Sequence, residues 1–311
     1  MSDIVILGAG PIGAATTREL LAQGRRVTVV TRSGTPLGGA RAVRLDAGDP
    51  ALAEIATGAD VIVNALNLPY DQWVGCWPAL HESIMTAAEG SGAALLLIGN
   101  LYGYRPGVLM TAEEPLDPPS RKGAVRARMW AELLDRHRAG RLRAAELRAS
   151  DYTGPGALDT EGAHAGRRLV QPVLAGRTAR VLGDPDAPHT WTDVDDIART
   201  AAAVIAQQAW GRPWIVPSAP ARSIRNVGQD VAATAGVGAA RVSAYPNWLV
   251  RGMGLANPMM RELGEMLYQF EAPFVADGSA TTQLLGVAAT PWSTTVETMV
   301  DAWRGRVPTA A

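Results

Sequence analysis

The sequence contains very little cysteine and very little lysine, and each shortage limits what the chain can be. One cysteine, Cys76, occurs in 311 residues, so an internal disulfide and a multi-cysteine metal site are both excluded. Lysine also occurs once, as Lys122, while the other 28 of the 29 basic residues are arginine. This bias indicates that arginine has replaced lysine at positions where either residue serves. The remaining lysine therefore indicates a position that needs a compact, titratable amine.

The chain also lacks a surplus of charge and a long apolar run. A formal net charge of -1 provides no positive field for a polyanion, so we expect no nucleic-acid partner. No apolar stretch approaches the roughly 20 residues of a membrane-spanning helix, and no basic signal-peptide segment precedes the first predicted strand at Ile4. No H-x-x-H or H-E-x-x-H spacing predicts a metal site. We therefore expect a soluble, cytoplasmic protein whose partner is a small-molecule substrate.

The first half of the chain alternates short apolar runs with helical patterns, which is typical of βαβ units and a parallel sheet. Helices are predicted near 12–22, 124–138 and 193–207. Strands are predicted at residues 4–7, 27–30, 42–45, 61–64, 94–98, 144–147 and 214–216. This pattern favours an α/β fold with a Rossmann-type doubly wound parallel sheet.

The length of the chain allows one large domain and a smaller one. We predict a dinucleotide-binding domain in residues 1–155, to which residues 189–218 return. Residues 156–188 and 219–311 are predicted to form a smaller, mostly helical, C-terminal substrate domain. Its stretch from Tyr245 to Phe274 is rich in Met, Leu and Trp, and it suits either ordinary helix core or a pocket wall, a lid or a subunit contact of a homodimer.

A glycine-rich turn lies between the first predicted strand and the first predicted helix. Gly8, Gly10 and Gly13 match G-x-G-x-x-G in the context that gives this pattern its meaning. Gly8 permits the tight turn, Gly10 lets the backbone approach a pyrophosphate, and Gly13 lets the helix pack closely on the strand. The helix begins at Pro11, which has no N–H, and the free N–H groups from Ile12 onward can donate to the phosphates. The turn therefore predicts a dinucleotide site.

The residues at the end of the second strand predict whether the bound dinucleotide carries a 2′-phosphate on its adenosine ribose. Proteins that bind NAD usually carry Asp or Glu here to accept hydrogen bonds from the 2′-hydroxyl. This chain has Thr31, Arg32 and Ser33 instead. An arginine can pair with a 2′-phosphate, so we expect NADP(H) in preference to NAD(H). The alternative is that Arg32 is a solvated surface residue.

The next strand ends supply further candidates, because open α/β sheets bind ligands at the carboxyl ends of their strands. Asp46 and Ala47 follow the third strand and are placed to meet the adenine. Asn64, Ala65 and Leu66 follow the fourth strand and are placed along the path to the nicotinamide ribose. Either set could equally be ordinary loop residues.

Further motifs follow in an order that resembles the NAD-dependent epimerase/dehydratase family, the extended short-chain dehydrogenases. The resemblance runs nearly end to end and implies a Rossmann fold that binds a nicotinamide dinucleotide. Beyond the glycine turn, it rests on Leu101-Tyr102-Gly103, on Leu147-Arg148 with Tyr152-Thr153-Gly154-Pro155-Gly156, on residues 191–198 (WTDVDDIA), and on Asp277 with Leu285-Gly286 and Pro291.

The chain departs from this family at the start of the helix that follows strand five. Members carry Tyr-x-x-x-Lys there, and the tyrosine is the acid/base while the lysine lowers its pKa and holds the nicotinamide ribose. Aligned on the glycine, Lys122 takes the tyrosine's place and Arg126 the lysine's. A second register places Ala124 and Arg128 there instead, and neither register contains a tyrosine. The resemblance thus implies cofactor binding, with Lys122 and Arg126 near the ribose, without the usual acid.

Other residues must then supply the acid/base. Tyr102 and Lys122 are the candidates, and a cation such as Lys122 or Arg126 would favour the ionised tyrosine. Asn100 could orient the substrate oxygen. The alternatives are that Tyr102 only packs beside the cofactor and that Lys122 is an exposed loop residue.

The histidines rank lower. His189 precedes the acidic group Asp193, Asp195 and Asp196 and could pair with it, although such acids more often begin a helix. We expect His81, His137 and His164 to be surface residues.

These features favour an NADP(H)-dependent oxidoreductase of atypical extended type that acts on a carbonyl, an imine or a sugar-like small molecule, with secondary metabolism as one setting. One alternative is a redox-neutral epimerase, dehydratase or cyclase that retains the nucleotide. Another is a non-catalytic NADP(H) sensor that binds a protein partner.

Overall fold

The fold is taken from a computed structural model that describes residues 3–157, 163–246 and 258–304. In chain order, the strands are β1 (Asp3–Leu7), β2 (Arg26–Thr31), β3 (Arg41–Arg44), β4 (Val61–Asn64), β5 (Ala94–Asn100), β6 (Leu109–Met110), β7 (Ala144–Ala149), β8 (Asp151–Thr153), β9 (Thr178–Val181), β10 (Trp191–Asp193), β11 (Pro213–Ile215), β12 (Arg241–Ala244) and β13 (Val275–Ala276). The helices are α1 (Pro11–Ala22), α2 (Leu52–Ile55), α3 (Trp73–Ser91), α4 (Arg121–Arg138), α5 (Arg167–Leu174), α6 (Val194–Gln207), α7 (Ile224–Ala235), α8 (Pro258–Gly264), α9 (Tyr268–Glu271), α10 (Ser279–Leu285) and α11 (Trp292–Arg304).

A seven-stranded sheet with the order β11-β7-β5-β4-β1-β2-β3 forms the centre of the molecule. Every neighbouring pair in it is parallel. Its strands are rich in Val, Ile and Leu because helices cover both faces and leave no solvated side. The Rossmann-type doubly wound sheet predicted from the sequence is confirmed.

The two faces of the sheet are built from alternate residues of the same strands. Ile4 and Ile6 pack on the face that carries Leu20 of α1. Val5 and Leu7 pack on the opposite face, where Trp77 of α3 is buried. The sequence does not predict α3, since Gly75 and Pro78 interrupt its first turns.

The strand order reverses direction between β1 and β4, which are neighbours in the sheet. The chain leaves β1 toward β2 and leaves β4 toward β5, so the connections diverge and open a crevice at the carboxyl ends of these strands. The glycine-rich turn lies at this crevice. The sheet topology therefore places the predicted ligand site at the switch point.

A second group of elements packs outside the sheet. Strands β9 and β12 pair in parallel, and helices α5, α7 and α11 bury a separate hydrophobic cluster with them, centred on Leu169, Val227 and Met299. These elements fall within the ranges predicted for the smaller domain, whose boundaries stay a prediction. Across the described ranges, no helix combines the length and the apolar character that a membrane span requires.

Candidate functional site

A cavity of about 1090 Å³ lies at the carboxyl ends of the strands. Small-molecule sites usually measure about 300–1,000 Å³, so this cavity lies at the upper limit of that range. Its floor consists of the glycine turn and the loops after β2 to β5 and β7. Its opposite wall includes Tyr245, Leu263, Met266 and Phe270. The stretch predicted as core or pocket wall is thus pocket wall where it is described, while its residues 247–257 lie outside the described ranges.

The glycine turn has the geometry that a pyrophosphate site requires. Gly8 has φ +100°, which only glycine adopts freely. A Cβ on Gly13 would stand 2.2 Å from the carbonyl oxygen of Gly8, whereas a Cβ on Gly10 would meet nothing within 4 Å. Gly13 therefore allows the close packing of α1 on the turn, and the space at Gly10 is left for a ligand beside the unpaired N–H groups of the helix start.

The turn residues divide into those that line the cavity and one that supports it. Gly8, Gly10, Pro11 and Ile12 line the cavity. Gly13 lies beneath them as a packing residue and does not line it.

The loop after β2 lines the same cavity with Thr31, Arg32 and Ser33. The Thr31 hydroxyl accepts a hydrogen bond from the backbone N–H of Thr35 at 3.1 Å, which orders the loop. Arg32 is exposed and forms no ion pair with any side chain that the structure describes. Its guanidinium is therefore available to a ligand.

The loops after β3 and β4 were predicted to reach the cofactor, and most of their residues line the cavity. Asp46, Ala47, Ala65 and Leu66 do so. Asn64 does not, because its side chain is buried beneath the loop, where its Oδ1 accepts a hydrogen bond from the Leu66 N–H at 3.2 Å. The prediction that Asn64 lines the path to the ribose is corrected: it shapes the loop that does.

Arg126, on the second turn of α4, is the buried cation of the site. Its guanidinium lies over the rings of Trp73 and Trp77, 4.5 Å and 4.8 Å from their centroids. Its Nε and Nη1 atoms are buried and have no hydrogen-bond partner among the described residues, and the residue lines the cavity. Burial lowers its pKa to about 10. A buried donor without a partner is costly, so the site is incomplete without an acceptor.

Two tyrosines face the cavity beside Arg126. The hydroxyls of Tyr70 and Tyr102 are 2.8 Å apart and share a hydrogen bond, and the Tyr102 ring stacks on Trp73. Burial raises the pKa of Tyr70 to about 12 and raises that of Tyr102 well above its ordinary value. Arg126 and an ionised Tyr102 would attract each other, but burial outweighs the help that the nearby cation was expected to give. The pair can donate hydrogen bonds, but burial opposes ionisation.

Asn100 also lines the cavity. Its Oδ1 accepts a hydrogen bond from the backbone N–H of Tyr102 at 3.1 Å. The side-chain amide nitrogen is left to meet a ligand, which keeps the proposed orienting role open.

Lys122 lies outside the cavity, contrary to both roles predicted for it. It is fully buried, so it is not an exposed loop lysine either. Its ammonium binds the carboxylates of Glu262 and Glu265, the latter at 2.5 Å. Burial alone would raise the pKa of Glu265, but Lys122 and Arg121 hold it below its ordinary value. Lys122 thus joins α4 to α8 and the segment that follows it, and it is a structural residue here.

A carboxylate and an imidazole that are distant in sequence meet at the cavity. Asp151 lines the cavity, and its Oδ2 lies 2.8 Å from Nε2 of His189. Asp193, which the sequence offered as a partner for His189, instead caps α6 by accepting from the Asp195 N–H at 2.9 Å. The parallel pairing of β8 with β10 brings Asp151 beside Trp191, and the sequence could not indicate that pairing.

Two histidines that were predicted to be surface residues, His81 and His164, are buried or half-buried. His81 is buried inside α3. His164 is half-buried, lines the cavity and stacks on Phe270 with ring centroids 4.0 Å apart. Loss of solvent around each imidazole lowers its pKa to about 4. The periodicity of the flanking residues did not reveal this, since each histidine is held by distant aromatic or backbone groups.

The part of the cavity lining that α5 and β9 contribute carries positive charge. Arg168 and Arg180 line the cavity and are exposed. Neither forms an ion pair with a side chain in the part of the chain that the structure describes. These two side chains would favour an anionic group.

No protein-family model matches the sequence, and no curated protein matches it. Solved structures match over nearly the whole chain. MoeE5 in complex with UDP-glucose and NAD has 19% identity and a TM-score of 0.79, and it covers 98% of this chain and 99% of its own. UDP-glucose 4-epimerase from Bifidobacterium longum, in complex with NAD+ and UDP, has 17% identity, a TM-score of 0.79 and full coverage of both chains. UDP-glucose 4-epimerase from Thermus thermophilus, in complex with NAD, has 18% identity and a TM-score of 0.76, over 98% of this chain and 100% of its own. At these identities the likeness confirms the fold that the sequence resemblance implied.

Proposed function

We propose that this protein is a nicotinamide dinucleotide-dependent enzyme of the extended short-chain dehydrogenase type, which transfers hydride to or from a sugar-like small molecule. The observation that carries the proposal is one continuous cavity, which runs from the glycine turn to the wall formed by Met266 and Phe270. The cofactor half and the substrate half of such an enzyme must share a cavity, because hydride passes directly between the two molecules.

The residues present fit a dinucleotide along its whole length. The N–H groups at the start of α1 would hold the pyrophosphate beside Gly10. The loops after β2 and β3 would hold the adenosine, with Asp46 at its edge. Arg126 would donate to the nicotinamide ribose, which satisfies the two nitrogens that have no partner within the described residues. The bound cofactor would supply the hydride acceptor or donor.

The choice between NAD and NADP(H) rests on two opposed observations. The compared structures contain NAD, which favours NAD for this fold. The open guanidinium of Arg32 favours a 2′-phosphate. We give the comparison more weight and propose NAD as the cofactor, with affinity for NADP(H) as the property that depends on Arg32.

The substrate is proposed to carry an anionic group. Arg168 and Arg180, on α5 and β9, line the cavity, where they would bind a phosphate or carboxylate. The compared proteins were solved with UDP-glucose and with UDP, which supports a nucleotide sugar or a similar molecule. Asn100 and the Tyr70–Tyr102 pair would then donate hydrogen bonds to the oxygen of the reacting carbon.

A redox-neutral epimerisation is the second candidate, because the compared structures include 4-epimerases. Epimerisation begins, as alcohol oxidation does, with removal of hydride from a carbinol carbon, but the hydride then returns to the same molecule. Net consumption of the cofactor therefore separates them.

The test measures binding first and turnover second. Calorimetry with NAD+, NADH, NADP+ and NADPH should give a dissociation constant in the micromolar range or below for at least one of them. Each dinucleotide is then incubated with UDP-glucose, UDP-glucuronic acid and a panel of carbonyl compounds, and nucleotide absorbance and products are followed. Binding without conversion would favour the sensor, and no binding of any dinucleotide would refute the proposal.

A further inference from the structure

We propose that Asp151 is the acid/base of the reaction and that His189 is its proton-sharing partner. This inference rests on the proposed hydride transfer, since it supplies the proton that accompanies the hydride. The helix that begins at Arg121 contains no tyrosine, and Lys122 is occupied by two glutamates. Asp151, which lines the cavity from β8 and is paired with His189, is a titratable group that does not belong to that helix.

The hydrogen bonds of His189 show how many protons the pair holds. Nδ1 lies 3.2 Å from the carbonyl oxygen of Gln269. A carbonyl can only accept, so Nδ1 carries a proton. Nε2 faces the Asp151 carboxyl at 2.8 Å. Without a proton between them, two lone pairs would face each other at this distance, so the geometry holds one proton between the two side chains.

The imidazole cannot turn away from the carboxyl. Three aromatic rings enclose it, those of Trp191, Phe274 and Phe270, with centroid distances of 4.5, 5.1 and 5.5 Å. His189 is 3% exposed and does not line the cavity, whereas Asp151 does. Asp151 is therefore the end of the pair that a substrate touches, and His189 is a positioning residue that acts through it.

The tyrosines are less suited to this proton transfer. Burial raises the pKa of Tyr70 to about 12 and that of Tyr102 well above ordinary tyrosine. An acid works best when its pKa lies near the working pH. The tyrosine hydroxyls therefore serve as hydrogen-bond donors, and the proton comes from another group.

Other titratable groups face the pair from the surrounding elements. Tyr70 and Tyr102 approach from the floor, Tyr268 from α9, and His164 from the loop before α5, and the Asp151 charge affects each of them. Desolvation keeps His164 neutral by lowering its pKa to about 4. The charge of Arg168 also acts on His164.

The shared proton accompanies the hydride in both directions of the reaction. In carbonyl reduction, hydride adds to the carbonyl carbon, the C=O π electrons move to oxygen, and the oxygen takes the proton that Asp151 and His189 share. The pair is left as a carboxylate and a neutral imidazole, and solvent returns the proton after the product leaves. In alcohol oxidation each transfer is reversed, so the deprotonated pair receives the hydroxyl proton as hydride leaves the carbon.

The first test needs no substrate. In protein labelled with 15N at histidine, we expect His189 to show a protonated Nδ1 and a strongly deshielded proton at Nε2. The Asp151→Asn variant should lose that proton signal, and Asp195→Asn, at a half-exposed carboxylate on α6, should keep it. A His189 ring protonated only at Nε2, or an unchanged signal in Asp151→Asn, would overturn the inference.

The second test uses the dinucleotide that binds, with the same panel of carbonyl compounds and nucleotide sugars. Asp151→Asn should lower kcat about 100-fold or more and leave the dissociation constant of the dinucleotide unchanged. His189→Gln should lower kcat less than Asp151→Asn does and change the pH dependence of kcat, while the dissociation constant of the dinucleotide stays unchanged. Retention of more than a tenth of the turnover by Asp151→Asn would overturn the acid/base role.

The two proposals fail in different ways. Protein that binds no dinucleotide refutes the proposed function, and the nuclear magnetic resonance measurement on that same protein still decides whether the pair holds a proton. Turnover by the wild-type protein that Asp151→Asn keeps overturns the role of Asp151 and leaves the proposed function standing, whereas dinucleotide binding without any conversion counts against both.

Discussion

The guanidinium of Arg126 lies 4.5 Å from the centroid of the Trp73 ring and faces the cavity with donors that no described residue accepts. A guanidinium held against an aromatic face keeps its orientation. Trp73 therefore fixes the direction in which Arg126 donates its hydrogen bonds.

Replacement of Arg126 should weaken dinucleotide binding. We expect Arg126→Met to raise the dissociation constant about 10- to 150-fold, because a charge-assisted hydrogen bond of roughly 1.5–3 kcal/mol is lost. Calorimetry measures it. Arg128→Met is the matched control, since Arg128 is exposed on the same helix and pairs with Glu132. Equal weakening by both variants would show that the loss of charge on α4, and not a contact, is responsible.

The two small residues of the glycine turn should respond differently to the same change. Gly13→Ala places a methyl group where the Gly8 carbonyl lies, so both Tm and dinucleotide affinity should fall. Gly10→Ala meets no protein atom within 4 Å, so Tm should stay while affinity falls at least tenfold as the methyl group blocks the pyrophosphate. Thermal denaturation and calorimetry separate the two. Full affinity in Gly10→Ala would contradict the placement of the pyrophosphate.

Arg32 should affect NADP+ and not NAD+. Because its guanidinium has no ion pair within the described residues, Arg32→Ala should weaken NADP+ binding about tenfold, corresponding to about 1.4 kcal/mol, and leave NAD+ binding within twofold. Arg41→Ala, at an exposed arginine on β3, is the control. If NAD+ and NADP+ weaken equally, Arg32 contacts a part of the molecule that both share.

Lys122 should matter for stability. Removal of the ammonium in Lys122→Met leaves the two glutamates, one of them largely buried, without their cation, and we expect a loss of about 3 kcal/mol in the free energy of unfolding. The double variant Lys122→Met with Glu262→Gln should recover part of that loss, because one uncompensated charge is removed as well. Urea denaturation gives both values. A stable Lys122→Met protein without turnover would restore the catalytic role that the sequence suggested.

Two histidines shielded from water predict how stability changes with pH. The pKa of both His81 and His164 falls from 6.5 to about 4 on folding, so the unfolded chain binds more protons between these values. Stability is fully present above pH 6.5 and is lost as pH falls toward 4, by up to about 1.4 kcal/mol per pH unit for each histidine. Tm should therefore fall between pH 7 and pH 5. His81→Gln, which can still donate to the Met129 carbonyl, should show about half of this dependence, and an identical slope would exclude His81 as a cause.

The sequence predicted most of the sheet and the cofactor half of the site because those features are local. The strands Asp3–Leu7 and Val61–Asn64 are apolar runs that end in glycine or polar residues, and a ligand loop must follow each of them. The glycine turn can be recognised from the six consecutive residues 8–13 alone. Hence the cavity lining at the loops after β1, β2 and β3 could be read from neighbours in the chain.

The substrate half depends on contacts between distant parts of the chain. Lys122 meets glutamates 140 and 143 positions later, and Asp151 meets a histidine 38 positions later. The sequence offered His189 nearer partners, such as Asp193, which a helix start uses instead. No local pattern distinguishes the two outcomes, because the pairing of β8 with β10 decides between them.

The ion pairs of Lys122 with Glu262 and Glu265 attach a late part of the chain to a helix that is synthesised much earlier. Residues 262–274 supply one wall of the cavity, and they are synthesised only after some four-fifths of the chain has left the ribosome. Until these residues are synthesised, the loops at the carboxyl ends of the strands line an open groove. The pocket is thus among the last parts to exist, and a chain that stops short of this segment would lack a closed place for chemistry.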